Sequence, residues 1–448
     1  MKSMLTSADA GPKKAPTGIV GLDEITEGGL PRGRTTLLVG GPGSGKTIFS
    51  LQFLVHGAAI GDDPGIFVAF EESSDRIVAN ADSFGWNLPK LRQKKLYFID
   101  AQPTPDLVQS GGFDLGGMLA VLEAKIADMG ACRIVFDAID IVLELLPDDA
   151  ARRREVYRLH AWLLQHQITG IITAKAGGEV TVAEDKQREQ PFGFMQFMVD
   201  CAVVLNHNVV QGVSQRNLRV QKYRGSNFDA NESPFLIGKN GFEVVVARPL
   251  GRGLAEVSKE RVSSGVERLD TMLGGGYYRG ATVLITGFPG TAKTTLSGAF
   301  AEAACARGEH TLFVSFDADS NEVVRDLSSV GIQLAPHVES GCLQMISARS
   351  VTGSAESYLV RLRSLAEAHG ARCVVVDPVS TWTKSSDGIG VHGVAERLID
   401  WSKSQGVTLM CTSLLDELTH GYESSTSLQI STLCDTWIQL DYLVQAGE

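Results

Sequence analysis

Eight residues, Gly40-Gly41-Pro42-Gly43-Ser44-Gly45-Lys46-Thr47, match the pattern G-x-x-x-x-G-K-[ST] at every fixed position. Glycines at these points let the backbone curl until successive N–H groups face one anion, and a helix starting just after them adds a favourable dipole. The flanks fit: an apolar run, Thr35–Val39, leads in, and an apolar helix-like run, Ile48–Val55, leads out. In that setting Lys46 is placed to reach the β- and γ-phosphates of ATP, and Thr47 to put its hydroxyl on Mg2+. A second run, Gly287-Phe288-Pro289-Gly290-Thr291-Ala292-Lys293-Thr294, followed by Thr295, repeats the pattern with one departure, Ala292 for the glycine before lysine. Alanine is the smallest substitute and fits the loop if φ is negative there; Phe288–Thr295 are expected to bind nucleotide, with turnover less assured.

A phosphate loop works with a metal-side carboxylate at the end of a neighbouring buried strand. Asp137 ends the run Arg133–Phe136 and Asp377 ends Cys373–Val376, each at the expected distance after its loop. Hydrolysis also needs a group to orient or activate water. Glu71 and Glu72 close the run Phe67–Phe70, and one of them is a candidate for that role while its neighbour tunes it. An equally simple reading makes the pair a solvated helix start, where acidic residues are favoured. In the second half the matching stretch is Phe316-Asp317-Ala318-Asp319. Aligning Phe70 with Phe316 sets Asp317 on Glu71, whereas a one-residue slip sets Asp319 on Glu72. Aspartate is one methylene shorter than glutamate, so two unequal sites are expected, the first the more competent.

These residues need a scaffold, and the chain repeats one. Gly18-Ile19-Val20-Gly21-Leu22-Asp23 recurs as Gly265-Val266-Glu267-Arg268-Leu269-Asp270, and Lys46 and Lys293 stand 247 residues apart. So long a period means two whole domains rather than a solenoid. Within each, short Val/Ile/Leu runs alternate with helix-like stretches such as Met118–Met129 and Arg152–His166, the pattern of a parallel sheet buried on both faces. The fold class expected is α/β, two tandem RecA-like P-loop NTPase domains. The first spans 17–247, a Pro/Gly/Arg-rich linker covers 248–258, and the second spans 259–448. Residues 1–16 form a polar N-terminal segment with no apolar run, neither signal peptide nor anchor.

Composition narrows the rest. With 448 residues, 44% hydrophobic and 21% charged, the chain can bury two large cores. The net charge of −11 argues against a protein that lives by gripping nucleic acid. No apolar stretch reaches the roughly 20 residues that span a bilayer, so a cytoplasmic location is expected. The seven cysteines are scattered without metal-ligand spacing and read as reduced thiols. His160 and His166 do not share a helical face, which leaves no histidine cluster for a transition metal.

The two domains, the Gly-x-x-x-Leu-Asp openings, the Glu71-Glu72 pair and the segment Lys222-Tyr223-Arg224-Gly225-Ser226 together resemble the KaiC family of circadian-clock ATPases and autokinases. The resemblance covers nearly the whole chain from about Thr17. It implies a homohexamer of two stacked rings with ATP at subunit interfaces, and a KaiB-like partner on the first ring. Lys222 and Arg224 fall on the family's K-x-R-G segment, which implies a cation supplied in trans to the neighbour's nucleotide. Taken by themselves they alternate along a strand, as a solvated face does. Ser431 and Thr432 fall on the family's adjacent phospho-acceptors, with Asp317 as the near base where the family carries Glu. At the matching offset the first domain has Gln196 and Phe197, with no hydroxyls. The second-domain counterparts of Lys222 and Arg224 would lie beyond Glu448, so a C-terminal segment of the second domain is expected to be missing and its kinase activity is in question.

Two other readings compete. A motor on single-stranded DNA shares this core but needs basic pore loops. The candidate loops Ala174–Pro191 and Ser413–Ser427 are mixed and acidic in charge respectively, which weighs against nucleic acid. A nucleotide-gated scaffold without meaningful catalysis would suit the weaker motifs of the second half.

Overall fold

The computed structural model describes residues 13–103, 115–176, 193–210, 213–246, 258–348, 355–381, 388–415 and 431–442. All but the last residue of the linker 248–258 and most of both candidate pore loops lie outside the described residues. The chain divides into two compact units, the first reaching Val246.

A two-residue strand pair, β1 (Lys14–Ala15) with β2 (Leu30–Pro31), opens the first unit. The main sheet follows: β3 (Thr35–Gly40), β4 (Gly65–Ala69), β5 (Leu96–Asp100), β6 (Arg133–Asp137), β7 (Thr169–Lys175), β8 (Cys201–Val210), β9 (Val213–Tyr223), β10 (Glu232–Gly238) and β11 (Gly241–Val244). Its order is β11-β10-β9-β8-β3-β7-β6-β4-β5. From β8 to β5 every pairing is parallel. Strands β3, β4 and β6 are buried along their whole length, because alternate residues feed two different cores. Leu38, Phe67 and Val135 pack on one face with the helix Lys46–His56. Leu37, Ile66, Val68, Ile134 and Phe136 pack on the other with the helices Leu115–Met129 and Asp149–Gln165. Each such side chain contributes about 1.5–3 kcal/mol on burial, which is why a strand with two wet-incompatible faces sits mid-sheet.

The second unit opens with β12 (Arg261–Val262) and β13 (Tyr277–Tyr278). Its sheet comprises β14 (Thr282–Gly287), β15 (Thr311–Ser315), β16 (Leu343–Ser347), β17 (Cys373–Asp377), β18 (Thr408–Leu414) and β19 (Thr436–Leu440), in the order β16-β15-β17-β18-β14-β19, all parallel. This is the order of β5-β4-β6-β7-β3-β8, strand for strand. The sequence repeat is a repeat of topology: two RecA-like α/β domains, each with its first long strand deep in the sheet and its phosphate loop at that strand's C-terminal end.

The repeated Leu-Asp opening has a structural reason. Asp23 accepts from the Thr17 N–H and hydroxyl and from the Gly18 N–H, at 2.7 to 3.1 Å. Asp270 accepts from the Ser264 N–H at 2.7 Å and from the Ser263 hydroxyl. Each carboxylate ties the entering chain to a short helix just before the sheet. The antiparallel extension β9–β11 was legible in sequence only as the strand carrying Lys222 and Arg224. It covers the phosphate-loop helix: Phe242 meets Phe49 edge-on at 5.4 Å, and its N–H donates to Gln52 Oε1 at 2.7 Å.

Candidate functional site

Strand β3 delivers its last residue, Gly40, into the loop. Gly43 and Gly45 take φ of +69° and +95°, a region only glycine enters cheaply. A methyl on Gly45 would also stand 2.6 Å from Ile237 Cδ1 of β10. Lys46 begins the helix and folds its ammonium back to donate to the carbonyls of Gly40 at 2.7 Å and Gly41 at 3.1 Å. Burial lowers the Lys46 pKa, opposed by the charges of Asp137, Asp140 and Glu71. Ser44 is 1% exposed and its hydroxyl oxygen has no hydrogen-bond partner among the described residues. A buried orphan polar atom inside a curled loop, beside a lysine, fits a polyphosphate that would satisfy it.

The Thr47 hydroxyl donates to Asp137 Oδ2 at 2.9 Å, and Thr173 Oγ1 of β7 donates to Oδ1 at 2.7 Å. Burial raises the Asp137 pKa, and these two hydroxyls pull it back. A hydroxyl and a carboxylate 2.9 Å apart beside a phosphate loop form a hard-oxygen set suited to Mg2+. Thr173 is a participant that the motif pattern did not reveal; a threonine two residues before the end of a buried apolar strand was the available signal.

The second unit copies this. Lys293 Nζ donates to the carbonyls of Gly287 at 2.8 Å and Phe288 at 2.6 Å, Thr294 Oγ1 donates to Asp377 Oδ2 at 2.8 Å, and Thr412 Oγ1 donates to Asp377 Oδ1. The condition set for Ala292 is not met: it sits at +69°, in the left-handed region, as the cap of the helix Lys293–Ala306. The loop geometry is imposed by the anion cradle, so the alanine carries a conformational cost of about 1–2 kcal/mol instead of altering the curl.

The structure separates Glu71 from Glu72. Glu72 pairs with Arg76 at 3.2 Å and accepts from Asn80 at 3.2 Å, on the helix Ser74–Asn80. It acts as the helix-start residue of the simpler reading. Glu71 faces the loop side: Lys175 lies 3.6 Å from its Oε1, and its charge is felt by both Lys46 and Asp137. The register of the second unit is likewise resolved. The Phe70 N–H donates to the Asp137 carbonyl at 3.2 Å, and the Phe316 N–H to the Asp377 carbonyl at 2.9 Å. Asp317 therefore occupies the place of Glu71, and its charge is felt by Lys293 and Asp377. The one-residue slip is excluded, because Asp319 caps the helix Ser320–Ser328 in a reciprocal box with Glu322. Asp319 matches Ser73, whose backbone angles are nearly the same.

Lys222 and Arg224 stand apart from their own loop. Lys222 Nζ donates to the carbonyls of Gln196 at 2.8 Å and Phe197 at 3.2 Å, and Arg224 Nη2 to that of Phe197 at 3.0 Å. Ser431 and Thr432 precede β19, where the Asp435 N–H donates to the Thr282 carbonyl at 2.9 Å. Asp200 does the same to Thr35 at 3.0 Å before β8, so Gln196 and Phe197 are the topological counterparts of the hydroxyl pair. His160 is occupied by Thr35 Oγ1 at 2.9 Å, and no metal-holding group of His, Cys, Asp or Glu occurs among the described residues. No described helix is long and apolar enough to cross a membrane.

The family described as "ATPase: KaiC" matches residues 15–248 and 262–448, one match for each unit. The chain is 38% identical to the circadian clock protein KaiC2 of Synechocystis sp. over 97% of its own length and 76% of the relative's. It is 36% identical to the circadian clock oscillator protein KaiC of Thermostichus vulcanus, over 97% and 83%. Against the KaiC of Picosynechococcus sp. the identity is 34%, over 98% and 84%. Two loops with the same lysine, threonine and aspartate geometry, on two sheets of one topology, are what these matches predict; the chain belongs to the KaiC family of ATPases.

Proposed function

We propose that this chain binds and hydrolyses ATP at both loops, faster at the first, and that it works as a two-ring homohexamer in the cytoplasm. The observation that carries this reading is the repeated constellation Lys46–Thr47–Asp137–Glu71 and Lys293–Thr294–Asp377–Asp317. Lysine and the loop N–H groups hold the polyphosphate. Thr47 with Asp137, and Thr294 with Asp377, would hold Mg2+, which supplies charge neutralisation on the phosphates. Glu71 orients water and accepts its proton as the water oxygen bonds to the γ-phosphorus, the bond from that phosphorus to the bridging oxygen breaks, and ADP and phosphate leave. Asp317 reaches less far, and Ala292 strains the second loop, so the second site turns over more slowly.

Lys222 and Arg224 are proposed to serve a neighbouring subunit's nucleotide. Their heads lie at the surface beside Phe197, which is 79% exposed, an apolar ring that an isolated chain leaves in water and an adjoining subunit would cover. Transfer of the γ-phosphoryl group to Ser431 or Thr432, a timer or switch output and a KaiB-like partner are proposed from family membership. A nucleotide-gated scaffold remains the reading favoured by Ala292 alone, and it applies to the second unit only.

The test is incubation of the purified chain with ATP and Mg2+. ADP release, a hexameric mass and a gain of one or two phosphates localised to Ser431 or Thr432 support the reading. A protein that binds no ATP sinks it entirely; turnover without any mass gain removes the autokinase part alone.

A further inference from the structure

Strand β3 pairs with β7 so that Gly40 stands opposite Lys175. In the second unit β14 pairs with β18 so that Gly287 stands opposite Leu414. The two halves thus set a cation and an aliphatic chain at the same place beside the loop. The Lys175 ammonium lies 3.6 Å from Glu71 Oε1 and 4.0 Å from Asp140 Oδ2. Asp140 is 1% exposed. Its carboxylate faces the N–H groups of Asp140 and Lys175, yet neither oxygen accepts a well-formed hydrogen bond among the described residues. A buried carboxylate in that state needs a compensating charge, and Lys175 supplies one. At the corresponding place in the second unit stands Ser380, whose hydroxyl accepts from the Leu414 N–H at 3.2 Å, and Asp317 accepts from the Thr381 hydroxyl.

We propose that Lys175 is a positioning residue of the first nucleotide site: anchored on buried Asp140, its ammonium holds the Glu71 carboxylate over the loop, so that turnover and not nucleotide binding depends on it. This rests on Glu71 being the water-side carboxylate. The Glu71–Lys175 pair is half exposed and contributes little to stability. What it does is orient, and a misplaced water-side group costs rate rather than affinity. Leu414 in the place of Lys175 adds to the inequality of the two sites.

The experiment uses the full chain carrying Lys293→Ala, so that first-site turnover is read alone. Lys175→Met lowers kcat about tenfold while the dissociation constant of a fluorescent ATP analogue stays within about twofold, and Lys175→Arg recovers most of the rate. Lys175→Met combined with Glu71→Gln is no slower than Glu71→Gln alone, because one acts through the other. Lys175→Met with Asp140→Asn, which removes the stranded buried charge and protects folding, shows the same loss of kcat. A raised dissociation constant at unchanged kcat, losses that multiply in the Glu71 double variant, or full turnover by Lys175→Met beside a slow Glu71→Gln overturns the proposal. Full turnover by Glu71→Gln itself would overturn the role given to Glu71 above and this one with it.

Discussion

The Thr47 hydroxyl donates to Asp137 Oδ2 across 2.9 Å, joining a residue of the phosphate loop to the end of a strand two places away in the sheet. Thr173 holds the other oxygen of the same carboxylate at 2.7 Å, so the aspartate is gripped from both sides before any metal arrives. Thr294, Asp377 and Thr412 repeat the arrangement.

Removing the outer grip should loosen the metal set without touching the loop. Thr173→Val is expected to raise the Mg2+ concentration needed for half-maximal turnover by about tenfold, and Thr173→Ser to restore it. A magnesium titration of ATP hydrolysis reads this directly; an unchanged midpoint would show that Asp137 keeps its orientation unaided.

The two loops should tolerate alanine differently. Gly45→Ala meets both a φ of +95° and Ile237 Cδ1 at 2.6 Å, and is expected to weaken ATP binding at the first site and destabilise the first unit by about 2 kcal/mol or more. Adding Ile237→Ala relieves the collision but not the backbone cost, so binding recovers only in part. Calorimetry of the three proteins with a non-hydrolysable ATP analogue checks it.

Lys46→Ala should cost more total turnover than Lys293→Ala, by roughly tenfold, because the second site has a shorter carboxylate and a strained loop. Steady-state phosphate release from the two variants measures the ratio. Equal losses would refute the inequality assigned to the sites.

Acid should act through Glu309. Burial alone would raise its carboxyl, but hydrogen bonds from Arg279 at 2.7 Å and Arg307 at 3.3 Å outweigh burial and bring it from 4.5 down to about 2. A depressed folded-state value contributes stability in full above pH 4.5, and that contribution is lost as pH falls toward 2. The denaturation midpoint of Glu309→Gln should therefore lie below that of the parent near pH 6, with the gap closing between pH 4.5 and 2. A gap that stays constant would place the stabilisation elsewhere.

Much of the site was legible because its parts are local. A phosphate loop, the strand before it and the helix after it are contiguous, so Gly40–Thr47 and Gly287–Thr294 declare themselves by spacing. Asp137 and Asp377 are legible because a strand buried on both faces reads as an unbroken apolar run, and a carboxylate at its end stands out. The 247-residue repeat announces two domains, since only a whole fold recurs at that period. Glu71 and Glu72, adjacent in sequence, were not separable until the sheet and the helix Ser74–Asn80 turned one toward the loop and the other toward Arg76. The φ of Ala292 was left open by the sequence, and the structure gives +69°, the left-handed side of φ that Gly45 takes at +95° in the first loop. The grip of Thr173, the anchoring of Lys175 on Asp140 and the cover of β9–β11 over the loop helix join residues far apart in the chain. The sequence by itself determined the two nucleotide cradles and their order, because those follow from backbone chemistry within a few residues. Which carboxylate lies beside Lys175 and which beside Arg76 was decided by strand pairing together with the helix Ser74–Asn80, since register across a parallel sheet is set by packing on both faces and leaves no local mark in the chain.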